Sequence, residues 1–201
     1  MLKEADSPVL VPDRLRLPLS FDAGRLARDL DRLDEEHWIK HVVRQNYEGD
    51  WSIVPLRAPA HAKHPLRMIY PDPAAADFVD TPFLEFCPYL RDVIASFRCP
   101  VRSARLMRLR PDSIIKEHSD VSLNFEDGIA RLHIPVQTND KVEFFVNGAP
   151  VEMRPGSCWY LRLSDPHRAA NRGATDRVHL VLDTERNLWL ENLFAKGLGP
   201  T

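Results

Sequence analysis

From Val101 to about residue 183 the chain alternates apolar and polar residues in short runs, broken by Gly, Pro, Asn and Asp, which is the period of half-buried strands. The runs predict strands at 101–110, 114–119, 130–137, 142–147, 150–153, 157–163 and 176–183. Asn147-Gly148, between Val142–Val146 and Val151–Met153, is a two-residue hairpin signal, since both residues accept positive φ. Short strands of similar length separated by turn residues point to a sandwich or jelly roll.

The first hundred residues mix periods. Leu15, Leu17 and Leu19 alternate over Arg14–Leu19 and predict an edge strand. Ser20 or Asp22 can cap a following helix in which Leu26, Leu30 and Leu33 recur at helical spacing. Tyr47-Glu48-Gly49-Asp50 reads as a turn and Trp51–Arg57 as a strand. Pro88 suits the first turn of a helix running to about Phe97. Another helix, Glu185–Lys196, closes the chain. Residues 1–13 read as an extended arm, and five prolines from Pro59 to Pro82 predict a long irregular connection of the kind that covers a binding site and carries substrate determinants.

Composition narrows the classes. The 201 residues, 44% of them hydrophobic, fit one domain with a sizeable core, and 17 prolines are too many for a helical bundle. A net charge of -2 gives no electrostatic footprint for nucleic acid. Cys87, Cys99 and Cys158 are odd in number and lack CxxC spacing, so they read as reduced, buried thiols. With no signal-type apolar core and no apolar run long enough for a membrane span, a soluble cytoplasmic protein is expected.

The candidate chemistry lies on strand faces. Residues two apart on a strand point the same way, so His118 and Asp120 can reach one ion. Joined by a distant imidazole, for which His167 is the candidate, they would form the two-histidine, one-carboxylate facial triad that leaves positions open on Fe(II) for O2 and a co-substrate. In 130–137 one face holds Arg131 and His133 and the other Leu132, Ile134 and Val136; in 176–183 Arg177 and His179 oppose Val178, Leu180 and Leu182. A solvated face draws Lys, Glu, Thr and Ser, whereas this one collects ligands and donors. His133 and His179 read as hydrogen-bonded wall residues rather than ligands. Arg177, ten residues after His167, has the fork needed to hold the far carboxylate of a dicarboxylic oxo acid chelating the metal; the alternative is a structural salt bridge with Asp176 or Asp183.

Other polar residues weigh less. Arg105, Arg108 and Arg110 either meet a substrate carboxylate or face solvent. His37 and His41 are four apart, as on a metal-binding helix, but Trp38 stands where the zinc-protease pattern needs glutamate. His61 and His64 fall in the Pro/Ala-rich loop and read as solvated.

Several motifs occur together in order: Ser103-Ala104-Arg105-Leu106-Met107-Arg108-Leu109-Arg110-Pro111, His118-Ser119-Asp120, Arg131-Leu132-His133-Ile134-Pro135, Met153-Arg154-Pro155-Gly156 with Trp159, Pro166-His167-Arg168, Asn171-Arg172-Gly173 and Arg177-Val178-His179. Over roughly residues 100–183 this set resembles the aspartyl/asparaginyl β-hydroxylase family of Fe(II)- and 2-oxoglutarate-dependent oxygenases. The resemblance implies a mainly β fold with flanking helices, a double-stranded β-helix (jelly roll, cupin-like), in one dioxygenase domain spanning 1–201. Its parts would be support and substrate loops over 1–100, a jelly-roll metal core over 101–183 and a C-terminal helix over 184–201. It further implies that His118, Asp120 and His167 ligate iron, that Arg177 binds the distal carboxylate of 2-oxoglutarate, and that Arg131 and His133 help hold that co-substrate. Animal members place glycine where this chain has Asp120, so it is more similar to bacterial members, among them free-proline cis-hydroxylases with a His-Ser-Asp run. A serine that contacts 2-oxoglutarate in relatives is replaced here by Met107.

The implied reaction is hydroxylation of an unactivated C–H, with O2, of an aspartyl, asparaginyl or other amino-acid substrate, free or bound to a peptide or carrier. Two alternatives stand beside it. A cupin-like metal enzyme without 2-oxoglutarate would carry a His-x-His pair in a Gly-rich strand. A non-catalytic jelly-roll binding module would show a decayed triad.

Overall fold

The computed structural model describes residues 11–70, 72 and 74–199, so most of the arm expected over 1–13 lies outside the described residues. In chain order the elements are β1 (Arg14–Ser20), α1 (Ala23–Leu30), β2 (Ile39–Lys40), β3 (Tyr47–Glu48), β4 (Trp51–Pro59), α2 (Pro65–Met68), β5 (Phe78–Asp80), α3 (Pro88–Ala95), β6 (Val101–Leu109), β7 (Ser113–His118), β8 (Ile129–Gln137), β9 (Val142–Val146), β10 (Ala149–Pro150), β11 (Ser157–Leu161), β12 (His167–Asn171), β13 (Arg177–Glu185) and α4 (Leu188–Leu198). Local chemistry explains the helix starts. Asp22 accepts a hydrogen bond from the Arg25 amide to begin α1, Asn187 accepts one from Leu190 to begin α4, and Pro88 opens α3 where no amide donor is needed.

The strands form two antiparallel sheets. The larger has the order β1-β11-β8-β13-β6-β4-β2 with β5 on β4, and the smaller β10-β9-β12-β7-β3. Residue parity sorts the cores of the larger sheet. Val54, Leu56, Ala104, Leu106, Leu132, Ile134, Tyr160, Leu180 and Leu182 pack with Leu26, Leu90, Leu190 and Phe194 of the helices. Ile53, Met107, Leu109, Leu161 and Val181 pack instead with Ile115, Phe144, Val146 and Ala169 of the smaller sheet. Even positions of β4, β6, β8, β11 and β13 thus face the helices and odd positions face the other sheet, which is the period-two pleat extended across five strands. This is the mainly β jelly roll with flanking helices that the sequence implies. The three cysteines are free and buried. Among the described residues no helix is long and apolar enough to cross a membrane.

Several expectations need correction. β12 has no counterpart among the expected strands, because Arg168-Ala169-Ala170-Asn171 shows no alternation: Ala169, Ala170 and Asn171 are all buried, between β7 and β9. The strand expected at 150–153 ends at Pro150, since proline supplies no amide to extend the ladder and only the Val151 amide still bonds back, to the Phe144 carbonyl. The Asn147-Gly148 turn itself is as expected, with φ of 49° and 72°. Tyr47 and Glu48 pair with β7 rather than forming only a turn. The connection from Pro59 to Pro82 is not wholly irregular: it holds α2, capped by the His64 ring, and β5, paired with β4. Glu185 belongs to β13, so the last helix starts at Leu188. His37 and His41 share no helix, as β2 lies between them.

Gly156 turns the chain between β10 and β11 at φ 79°, donating to the Pro135 carbonyl at 2.9 Å and accepting from the Phe21 amide at 2.8 Å. A Cβ there would collide with the Phe21 carbonyl oxygen. Gly156→Ala is therefore expected to cost about 1–3 kcal/mol from backbone conformation alone, read as a lowered midpoint in urea unfolding with an unchanged slope.

Candidate active site

The odd-numbered side of the larger sheet and the facing side of the smaller one enclose a cavity of about 550 Å³. It brings together the six residues given metal or co-substrate roles above, His118, Asp120, Arg131, His133, His167 and Arg177, whereas His179, expected with His133 as a wall residue, is not among those lining it.

His118 ends β7 and His167 begins β12, where the two are cross-strand partners with ring centroids 4.3 Å apart. Asp120 lies just past the strand, in a loop fixed by its amide donating to the Leu163 carbonyl at 2.8 Å. One ligand atom from each of the three lies within 4.8 Å of the others, and His118 Nε2 is 3.8 Å from Asp120 Oδ1. Both rings are oriented through Nδ1, which donates to the Lys116 carbonyl at 2.7 Å in His118 and to the Asp165 carbonyl at 3.0 Å in His167. A carbonyl only accepts, so each Nε2 keeps its lone pair for the space between them. Burial lowers the pKa of His167, favouring the neutral, ligating form. Two imidazoles and a carboxylate in this arrangement fit a divalent first-row metal with coordination positions to spare.

Beside this cluster is a charge network. Asp183 on β13 stands directly across from Arg131 on β8, accepting from Arg131 Nε at 2.6 Å and Nη2 at 3.0 Å, from Ser103 Oγ at 2.9 Å and from Arg105. Arg131 Nη1 also donates to Asp120 Oδ2 at 2.8 Å. Burial pushes the Asp183 carboxyl up, but the Arg131 and Arg105 guanidiniums outweigh it and hold it well below the usual carboxylate range. Burial likewise opposes the Arg131 charge, and the Asp183 and Asp120 carboxylates more than restore it.

Arg177 differs. It is 2% exposed, and neither carboxylate considered as its partner pairs with it: Asp183 is engaged as above, and Asp176 has Arg108 Nε at 3.9 Å as its nearest cation. Among the described residues it forms no salt bridge, and its one hydrogen bond runs from Nη2 to His179 Nδ1 at 2.9 Å. Burial pulls its pKa down to about 9, which leaves it charged at neutral pH. Six buried side-chain polar atoms lack a hydrogen-bond partner among the described residues. Four of them, Trp51 Nε1, Arg105 Nε, His133 Nε2 and Arg177 Nε, belong to the walls of this cavity, where a ligand would explain them.

The rest of the wall is mostly apolar. His41 stacks on Trp51 with ring centroids 3.6 Å apart, and burial, then Arg105, lowers its pKa to about 4, so it is a neutral plate. Ile69, from the proline-rich connection, and Met107 also line the cavity. Of the three β6-region arginines only Arg105 does so; Arg108 is buried against Glu35, Ser52 and Trp38, and Arg110 reaches Glu35 from an exposed position. His61 and His64 lie outside it, His61 beside Asp72 at 3.0 Å. Sequence reasoning passed over Asp183 and Arg105 as a pair, although Asp183 has the same parity on β13 as Arg177 and His179. Nothing in the sequence marked His41 and Trp51 as wall residues.

Residues 22–187 match the family described as Aspartyl/Asparaginyl beta-hydroxylase. The chain belongs to that family. This member of the aspartyl/asparaginyl β-hydroxylase family is 29% identical over 177 residues to a protein of Rhizobium meliloti (strain 1021) named L-proline cis-4-hydroxylase. The match takes in 87% of this chain but 61% of that relative's length. Solved structures of similar fold include an oxidoreductase of the 2OG-Fe(II) oxygenase family from Burkholderia pseudomallei, with TM-score 0.55 and 20% identity over 87% of this chain and 86% of that one. A Pseudomonas putida prolyl-4-hydroxylase aligns with TM-score 0.54 and 14% identity, over 87% and 93% of the two chains. At these identities the structural likeness is one of fold.

Removing the charge of Asp183 would strand two buried guanidiniums, so Asp183→Asn is expected to cost about 3–5 kcal/mol of unfolding free energy. The Asp183 pKa is depressed on folding, so its contribution is fully present above its unfolded value of about 3.9 and is lost as pH falls toward the folded value. Denaturant unfolding of wild type and variant should therefore differ by a constant amount from neutral pH to about 5, with the gap narrowing below about 4.

Proposed function

We propose that this protein is an Fe(II)- and 2-oxoglutarate-dependent oxygenase that hydroxylates an unactivated C–H of a small amino-acid substrate. Arg177 carries the reading. A buried guanidinium without a carboxylate, in the same cavity as a His-Asp-His cluster, is costly unless an anion arrives to pair with it. A dicarboxylate whose other end chelates the metal meets that need, which a cupin-like metal enzyme without 2-oxoglutarate would not require. An intact triad likewise speaks against a non-catalytic module.

In this reading His118, Asp120 and His167 hold Fe(II), and the bound metal with 2-oxoglutarate and O2 supplies the oxidising chemistry, yielding succinate and carbon dioxide. The protein's own residues orient and exclude. The Nδ1 hydrogen bonds of His118 and His167 fix both rings with Nε2 inward. Arg177 would receive the distal carboxylate of 2-oxoglutarate, and Arg131 and His133, in the same wall, would help hold that co-substrate. Trp51, His41, Ile69, Leu123 and Leu163 keep water from the reacting centre.

The lining also bears on the substrate. Arg105, Arg131, Arg168 and Arg177 face only Asp120 and Asp183. A divalent metal and a dianionic co-substrate cancel each other, which leaves a positive excess suited to a substrate carboxylate, with the neutral His41–Trp51 plate beside it for an aliphatic or cyclic body. The Rhizobium meliloti relative named for proline agrees with a free amino acid; a peptide- or carrier-bound aspartyl or asparaginyl residue is the other form of the same chemistry.

The purified protein, given Fe(II), ascorbate, O2 and 2-oxoglutarate with a panel of amino acids and short peptides, should release succinate in step with one hydroxylated product. Absence of both metal binding and succinate would overturn the proposal. Asp120→Ala should lower Fe(II) or Mn(II) affinity at least tenfold. Arg177→Ala should weaken 2-oxoglutarate binding roughly 10–100-fold with metal affinity nearly unchanged; loss of the metal instead would make Arg177 a structural residue.

A further inference from the structure

Arginine offers only donors, so the nitrogen that receives Arg177 Nη2 at 2.9 Å must be unprotonated. His179 is therefore held in one tautomer, with its proton on Nε2 and its Nδ1 lone pair turned to the guanidinium. His133 Nδ1 lies 3.4 Å from that same nitrogen. The His179 ring is 1% exposed, at an odd position of β13 whose neighbours across the sheet are Met107 on β6 and Pro135 on β8, so the backbone leaves it little freedom. The Arg177 guanidinium carbon stands 5.6 Å from the centre of the Phe144 ring, which packs it from the smaller sheet. Arg177 is thus fixed by a neutral acceptor and an aromatic face, and by no carboxylate among the described residues.

That choice has a consequence for binding. A buried carboxylate in the place of His179 would hold the guanidinium at least as firmly, but it would cancel the charge and compete with any incoming carboxylate. A neutral imidazole fixes the direction of the fork and leaves its whole charge for a ligand.

We propose that His179 is a positioning residue for the co-substrate: it anchors Arg177 without neutralising it, and so sets the site's preference for a 2-oxo dicarboxylate over a 2-oxo monocarboxylate. This rests on the function proposed above. It assigns His179 no contact with metal or substrate.

The test separates an acceptor's charge from its shape. Asn and Asp both place an oxygen near the Nδ1 position of histidine, one neutral and one anionic. Anaerobic, Mn(II)-loaded wild type, His179→Asn and His179→Asp are titrated by calorimetry with 2-oxoglutarate and with 2-oxopentanoate, which has the same carbon chain and no distal carboxylate. Wild type and His179→Asn are expected to prefer 2-oxoglutarate to within about threefold of one another. His179→Asp is expected to bind 2-oxoglutarate roughly 10–100-fold more weakly while its affinity for 2-oxopentanoate and for Mn(II) stays the same. His179→Gln, whose amide reaches toward the Nε2 position and leaves Nη2 without an acceptor, is the second variant should Asp prevent folding. It too should lose 2-oxoglutarate affinity selectively, by about tenfold. Equal losses for both oxo acids, or an Asp variant that binds 2-oxoglutarate as wild type does, would overturn the assignment and make His179 a packing residue. Wild type without preference for 2-oxoglutarate would instead overturn the function on which the assignment depends.

Discussion

The pleat of the larger sheet is the constraint on which everything else in this protein rests. Even positions of β8 and β13 carry Leu132, Ile134, Leu180 and Leu182 into the helix-facing core, and odd positions carry Arg131, His133, Arg177, His179 and Asp183 toward the smaller sheet. A slip of one residue would exchange these sets, placing five polar side chains against Leu90, Leu190 and Phe194 and emptying the cavity of its chemistry. The cost of burying those polar groups in an apolar layer, each worth roughly 1–3 kcal/mol unpaired, fixes the register and thereby the site. Stability and function are specified by the same alternation.

Once polar groups are committed to that side, they must be balanced. Asp183 does most of this, standing across the ladder from Arg131 and receiving Arg105 and Ser103 from the other neighbouring strand. It sits at one end of β13's polar stripe, and Arg177 at the other end has no equivalent. The stripe is therefore electrostatically asymmetric: closed by a carboxylate at Asp183, open at Arg177. Folding supplies the first pairing, and in the proposed function the co-substrate supplies the second.

The fold was readable where alternation was clean. β6, β7, β8, β9, β11 and β13 lie within a residue or two of their expected positions, and the same alternation separated Arg131 and His133 from Leu132 and Ile134. It failed where burial is two-sided or pairing is short. β12 is itself built of small residues buried on both faces, so Ala169-Ala170 carries no period, and β2, β3, β5 and β10 are too brief to leave one. In the candidate site, charged and ligating residues could be found because their chemistry is rare on a sheet face. Pairing could not: the sequence offered Asp183 as a partner for Arg177, whereas the register gives it to Arg131. His41 and Trp51, brought together only by the return of the chain at β4, had no local signature at all.

Arg131 joins what would otherwise be two separate halves of the site. Its Nη1 occupies Asp120 Oδ2, while Nε and Nη2 are taken by Asp183. Asp120 Oδ1 is the oxygen nearer His118 Nε2, so in the proposed reading the carboxylate would meet the metal through one oxygen only, the other being held by the guanidinium. That would leave open a coordination position that a bidentate carboxylate would take. Through Arg131 the metal carboxylate is also tied to the buried ladder of β8 and β13, so Asp120 is positioned by the core although it lies in a loop. Replacing Asp120 by glycine would remove that tie, and the guanidinium it engages would need another partner.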